Sequence, residues 1–408
     1  MGSEGSESRI EGDEGMQVAD RLLRTPPYPF AELARLKRKT IEQGTDLIDF
    51  GIGDPDQPTP EHVVEALRQA VGDPVTHRYD ETGRGLPEFL AAFSAWYRGR
   101  FGVALDPERE VLRLIGAKEG LAHLAWTVLN PGDVALVPDP GYPVYKVAPM
   151  FAGAQVHLMP LREETGYLPD LEAIPAEVAD RARLMYLCYP QMPTGAVAEG
   201  DFYRRLVEFA REKDLLVCLD MAYSELSYDG YRTQSLLQVE GAKETAIEIH
   251  SVSKTYNMTG WRLGLAVGNA EALDALEKLK SNLDSGAFLA IQRAGAVALS
   301  GPQDCVERMR RIYQRRRDLL VDGLAEVGWR IPKPKATCYV WAPVPAGYTS
   351  AGLAETLVRD AGVLVTPGSA YGEMGEGYIR FSLTVQGERQ EERIREAVAR
   401  IREKVRLK

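Results

Sequence analysis

The sequence predicts an α/β fold built on a mostly parallel sheet, and three observations predict it. Short apolar runs bounded by turn residues alternate with amphipathic helical stretches over the first 300 or so positions. The runs DVALVPD, RLMYLCYP, LLVCLD and AIEIHSVSK are apolar without alternation, as strands covered on both faces are. Residues able to do chemistry follow these runs directly, which is where open α/β sheets gather function.

In chain order, residues 1–15 (MGSEGSESRIEGDEG) are rich in Gly, Ser and acid and read as a disordered leader, with the fold beginning near Met16. Residues 16–60 form an N-terminal arm. TPEHVVEALRQAV predicts a helix capped by Thr59, with Pro60 at its first position. A second helix is expected over 199–213. Past residue 300 the character changes. QDCVERMRRIYQRRRDLLVDGLAEVG reads as one long amphipathic helix, followed by strands in ATCYVWAPV, GVLVTP and YIRFSLTV and by a charged C-terminal helix. The expected division is a large domain over 61–300 and a smaller α+β domain over 301–408, to which the arm contributes.

The chain has 408 residues and a formal net charge of -10. That balance argues against a nucleic-acid binder, which would carry a basic face. No apolar run approaches the roughly 18 residues that span a bilayer, and the N-terminus lacks a charged-then-apolar signal pattern. Cys188, Cys218, Cys305 and Cys338 are scattered, with no CxxC pair. Reduced, buried thiols in a cytoplasmic protein fit this usage, and no metal site is expected.

SVSKTYNMTGWRLG, residues 251–264, carries the most chemistry. Lys254 closes an apolar run, where partial desolvation lowers a lysine's pKa enough for it to condense with an aldehyde. Ser251 and Ser253 offer hydroxyls, and Arg262 a planar fork suited to phosphate oxygens. In LIGAKEGLAHLAW a strand end meets Gly116 and then a helix, whose first N–H groups bind anions. Ala117 and Lys118, through their backbone N–H, form the second half of a phosphate cup. In VCLDMAYSEL, Asp220 ends a buried strand and needs a positive partner there; a protonated ring nitrogen is one, and a helix N-cap is the alternative reading. Tyr223 can donate to an oxygen on the same ring, and Tyr142 in PDPGYPVY can stack on its face. An imine-forming lysine, a phosphate cup, a carboxylate, a phenol and a stacking ring together describe pyridoxal 5'-phosphate.

With GAKEGLAHL, PDPGYPVY and SVSKTYNMTGWRLG the chain resembles the pyridoxal-phosphate-dependent class I/II aminotransferases of fold type I, and among them most the bacterial LL-diaminopimelate aminotransferase-like group. The resemblance implies a seven-stranded, mostly parallel sheet in a large cofactor-binding domain, transfer of an amino group between an α-amino acid and a 2-oxo acid such as 2-oxoglutarate, a place in lysine biosynthesis, and a homodimer with shared active sites. It puts Gly53 of FGIGDPDQPTP and Arg380 of EGYIRFSL at the substrate α-carboxylate, and Tyr79 of HRY at the neighbouring subunit's phosphate. For Arg380 an internal salt bridge is the alternative. One departure stands out. The family usually reads Asn-Pro-Thr-Gly where this chain has YPQMPTG, so Met192 replaces an asparagine that donates to the ring oxygen and the substrate carboxylate. Methionine donates nothing; either Gln191 substitutes or the chemistry has drifted. Cys338 stands where the family often has an aromatic residue. The rival readings are a pyridoxal-phosphate lyase or decarboxylase on the same fold and, against the acidic charge, a transcription regulator with an aminotransferase-like effector domain.

Overall fold

The structure, a computed structural model, describes residues 18–406; the expected leader lies outside them. A short strand, β1 (Ile48–Asp49), precedes seven strands that form one sheet: β2 (Val111–Leu114), β3 (Val134–Asp139), β4 (Gln155–Pro160), β5 (Ala182–Cys188), β6 (Leu216–Asp220), β7 (Ala246–Ser251) and β8 (Gly264–Gly268). Their order is β2-β8-β7-β6-β5-β3-β4. Only β8 runs against its neighbours, pairing antiparallel with β2 and β7; the remaining pairs are parallel. The four apolar runs read from the sequence are β3, β5, β6 and β7. They carry no alternation because apolar layers cover both faces, with Leu114, Cys218 and Ile249 on one side and Leu136, Leu219 and Leu265 on the other. All four cysteines are free and buried. No described helix is long and apolar enough to cross a membrane.

The helix at 59–71 begins one residue later than its cap predicts. It spans Glu61–Val71 with Pro60 as N-cap, because the Thr59 hydroxyl donates to the carbonyl of Asn257 at 2.8 Å rather than capping the helix. The stretch 199–213 forms the helix Gly200–Glu212, and the long helix runs Asp304–Glu326. After it come β9 (Tyr339–Pro343), β10 (Val363–Leu364), β11 (Thr366–Pro367) and β12 (Tyr378–Ser382), then the helix Gln390–Lys404. GVLVTP is thus two strands, not one. It divides at Val365: β10 pairs in parallel with β1, and β11 joins the antiparallel sheet β11-β12-β9.

Two connections bind these sheets together. The carbonyls of Phe50, Gly51, Ile52 and Asp54 face the smaller sheet and the chain just after it: Phe50 O accepts from the Ser382 amide at 2.7 Å, Gly51 O from Arg380 Nη2 at 2.6 Å and Thr366 Oγ1 at 2.9 Å, Ile52 O from Thr384 Oγ1 at 2.7 Å, and Asp54 O from Gln386 Nε2 at 3.0 Å. At the carboxyl end of β3, Asp139 accepts from the amides of Glu373 and Met374, each at 3.2 Å. Gly372 beside them has φ +138°, and a Cβ there would stand 1.8 Å from Asp139 Oδ1.

Candidate active site

The antiparallel return from β7 to β8 decides where the chemistry sits. The chain leaves β7 at its carboxyl end, makes the short helix Val252–Thr255, and re-enters the sheet at Gly264. Ser251, Ser253, Lys254 and Arg262 therefore share one connection at the same sheet edge where β2 and β6 end. A cavity of about 400 Å³ opens there. Gly53, Ala117, Lys118, Tyr142, Met192, Asp220, Tyr223, Ser251, Ser253, Lys254, Arg262 and Arg380, all picked out in the sequence, line it. Tyr79 does not. It is 77% exposed on the surface.

Lys254 Nζ donates to the Gly53 carbonyl at 2.6 Å. Desolvation pushes its pKa down, and the charges of Arg380 and Arg262 add to the effect. Ser251 accepts from the Ser253 amide at 3.2 Å and caps the short helix. Arg262 sits in left-handed backbone, φ +55°, a region few non-glycine residues occupy. Its guanidinium lies against Gly116, where a Cβ would stand 2.2 Å from Nη2. Glycine at 116 is what lets the cation reach the start of the helix Ala117–Val128. A cationic fork, two serines and a helix N-terminus thus converge on one wall, a donor set for phosphate.

Across the cavity Asp220 is buried, and burial raises its pKa. Tyr145 donates to its Oδ2 at 2.7 Å and the Ala222 amide to its Oδ1 at 3.0 Å. The second bond closes a local turn and no helix follows Asp220, so the helix N-cap reading is not borne out. No Lys or Arg among the described residues pairs with this carboxylate, which leaves it suited to a cationic ring nitrogen in the cavity. Tyr142 stands edge-on to Tyr145, ring centroids 5.9 Å apart.

Arg380 is 1% exposed and, among the described residues, has no carboxylate partner. The internal salt bridge is therefore excluded among them. Tyr339, Tyr371 and Phe30 surround the guanidinium, with ring centroids 4.1, 5.1 and 5.5 Å from Cζ. Its Nε is buried without a hydrogen-bond partner, and Nη1 faces Met192 Sδ at 3.7 Å, a weak acceptor. Such a cation is costly unless a ligand anion completes it. Gln191 does not substitute for the missing asparagine. Its Nε2 donates to the Pro140 carbonyl at 2.9 Å and its Oε1 accepts from Thr194 N and Oγ1 at 2.8 and 2.7 Å, which commits the amide away from the cavity.

Four aromatic residues of the lining escaped the sequence reading. Tyr28 and Phe30 come from the arm, Tyr145 from the helix Pro143–Phe151, and Tyr339 from β9. The doublet PPYP before a helical stretch was the available signal for Tyr28; Tyr145 and Tyr339 lie in patterns that read as core.

The family model for aminotransferase class I and II matches residues 45–401. The chain belongs to that family. The aminotransferase is 54% identical over 387 residues to an LL-diaminopimelate aminotransferase of Moorella thermoacetica, covering 95% of this chain and 98% of the relative. Among solved structures it resembles substrate-bound BacF from Bacillus subtilis (TM-score 0.91, 40% identity, 95% and 98% covered) and a single mutant of Thermus thermophilus aspartate aminotransferase (TM-score 0.88, 30% identity, 95% and 100% covered). The fold is that of the fold-type-I enzymes, and the aminotransferase depends on pyridoxal 5'-phosphate. The wall of phosphate-type donors, the carboxylate with no Lys or Arg paired to it among the described residues and the desolvated lysine fit that cofactor.

Proposed function

We propose that this aminotransferase moves an amino group between an α-amino acid with a second acidic group, of which LL-diaminopimelate is the leading candidate, and 2-oxoglutarate. The observation that carries the reading is Arg380, buried, caged by three rings and lacking an anion, in the same cavity as Lys254. When bound, the cofactor supplies the electron sink that lets the amino acid's Cα give up its proton.

Lys254 holds the cofactor covalently. Released from that bond when the amino acid takes its place, Lys254 is favoured as the free amine by its lowered pKa and would hold the Cα proton at Nζ. Ser251, Ser253, Arg262 and the N–H groups of Ala117 and Lys118 hold the phosphate. Asp220, fixed by Tyr145, keeps a proton on the ring nitrogen. Tyr223 donates to the ring oxygen and Tyr142 covers the ring face. Arg380 and Gly53 hold the α-carboxylate. Lys118 also brings a cation to the mouth: its Nζ lies 4.4 Å from the Tyr28 ring centroid and 5.6 Å from that of Tyr142, with no carboxylate paired to it among the described residues. That charge suits a distal acid, and the relatives named LL-diaminopimelate aminotransferase support the substrate class and a role in lysine biosynthesis.

The working unit in this reading is a cytoplasmic homodimer in which Tyr79 reaches the neighbouring subunit's phosphate. Its exposure, with Val75 at 56% and Phe288 at 42% also bare, supports that. A panel of amino donors, each mixed with the loaded enzyme in the absence of 2-oxo acid and read by the spectrum of the pyridoxamine form, tests the substrate. LL-diaminopimelate and glutamate should be the best donors. Preference for apolar donors would overturn the distal-acid reading, and 2-oxo acid with free ammonia would point to a lyase, the outcome that Met192 keeps open.

A further inference from the structure

Met192 leaves the ring-oxygen side of the site short of one donor, and Gln191 is committed elsewhere. The cavity holds another hydroxyl at this point. Tyr339 Oη lies 3.0 Å from Tyr223 Oη, and their rings meet edge to face with centroids 5.5 Å apart. The same hydroxyl packs on Gly53, where a Cβ would stand 2.0 Å from it; glycine at 53 makes room for it. The ring lies 4.1 Å from Arg380 Cζ. Tyr339 therefore touches three parts of the site: the carboxylate anchor, the ring-oxygen donor and the segment whose carbonyl receives Lys254.

The direction of the Tyr339–Tyr223 hydrogen bond follows from what each oxygen faces. A guanidinium against the Tyr339 ring draws electron density from the phenol and makes its O–H the better donor. Tyr223 must spend its own proton on the anionic ring oxygen, so its oxygen is left to accept. Burial pushes both phenols well above their ordinary pKa, so both keep their protons at neutral pH. A hydroxyl that accepts one bond donates its own more strongly.

We propose that Tyr339 is the positioning residue that takes over from the missing amide at position 192, donating to Tyr223 Oη and so strengthening the bond Tyr223 makes to the cofactor's ring oxygen. The inference rests on the reading of Tyr223 as the ring-oxygen donor. It assigns the compensation for Met192 to a residue on the other sheet, reached through Tyr223.

A double-mutant cycle on the holoenzyme tests it, read by the pH midpoint of the bound cofactor's absorbance change. Phenylalanine preserves the ring and the cage around Arg380. Tyr339→Phe should raise the midpoint by about half to one unit, because a less well-bonded ring oxygen is more negative and holds the neighbouring proton longer. In the Met192→Asn background, where an amide supplies its own bond, the same substitution should shift the midpoint by about half as much or less. An equal or larger shift in that background would show that Tyr339 acts independently of position 192 and would overturn the proposal. No shift from Tyr339→Phe, with a clear one from Tyr223→Phe, would overturn it while leaving Tyr223's assignment intact. A Tyr223→Phe enzyme with an unmoved midpoint would remove the assignment and the inference with it.

Discussion

Arg380 and Met192 face each other across one subsite, and their substitutions should move activity in opposite directions. Arg380→Ala removes the buried cation that awaits the α-carboxylate. Truncating one partner of such a pair costs about 2–5 kcal/mol, so kcat/KM should fall about 30- to 5,000-fold for every donor alike. Steady-state kinetics on three chemically unlike donors decide it, since a loss confined to one would mean that Arg380 reads a side chain. Met192→Asn restores a donor to the ring oxygen. A hydrogen bond to a charged group is worth about 1.5–3 kcal/mol, and one pKa unit is about 1.36 kcal/mol, so the midpoint of the cofactor's absorbance should fall by at most about one to two units. The sign follows because an oxygen with its charge better satisfied holds the neighbouring proton less tightly. kcat/KM should rise. If neither quantity moves, Met192 is a packing residue.

Element ends carried most of what could be read beforehand. Asp220 and Ser251 were legible because each closes an apolar run, where a polar group is costly unless something meets it, and Gly116 because it stands between a strand end and a helix start. Tyr145 and Tyr339 were not: an aromatic on an amphipathic helix or an apolar strand is the ordinary material of a core, and only their distant partners, Asp220 for Tyr145 and Tyr223 for Tyr339, place them at the cavity. Thr59 misled for a related reason, since its hydroxyl answers a residue 198 positions away. The junction at Gly372 is likewise invisible locally. Gly372→Ala should lower stability by about 1–3 kcal/mol in urea unfolding, through the clash with Asp139 as well as the backbone. Gly377→Ala is the control, with φ +85° and open space around its Cβ. KM should rise in the first variant alone, because Tyr371, next to Gly372, forms one wall of the Arg380 cage. Equal effects in both would mean that backbone strain, not the contact with Asp139, accounts for the loss.

At the scale of the molecule, the expected exchange of Tyr79 between subunits is testable by mixing. In a heterodimer of a Tyr79→Phe chain and a Lys254→Ala chain, the only site with a lysine belongs to the first chain and borrows an intact tyrosine from the second. Cofactor affinity at that site should match the parent enzyme. Weakened binding would place Tyr79 in its own subunit's cup.

The row of carbonyls from Phe50 to Asp54 has a consequence for how the molecule breathes. Phe50, Gly51, Ile52 and Asp54 are joined to the smaller sheet and the chain just after it by hydrogen bonds, although more than 300 positions separate them in sequence from their partners there. Segments bonded in this way open together as one cooperative unit. In native-state hydrogen–deuterium exchange, the amides of Ile48 and Phe50, which donate to Gly362 and Leu364, should therefore trade their protons at the pace of 378–384. Denaturant should release both stretches at one concentration, whereas the helix Glu61–Val71, only a few residues further along the chain, keeps its own timetable.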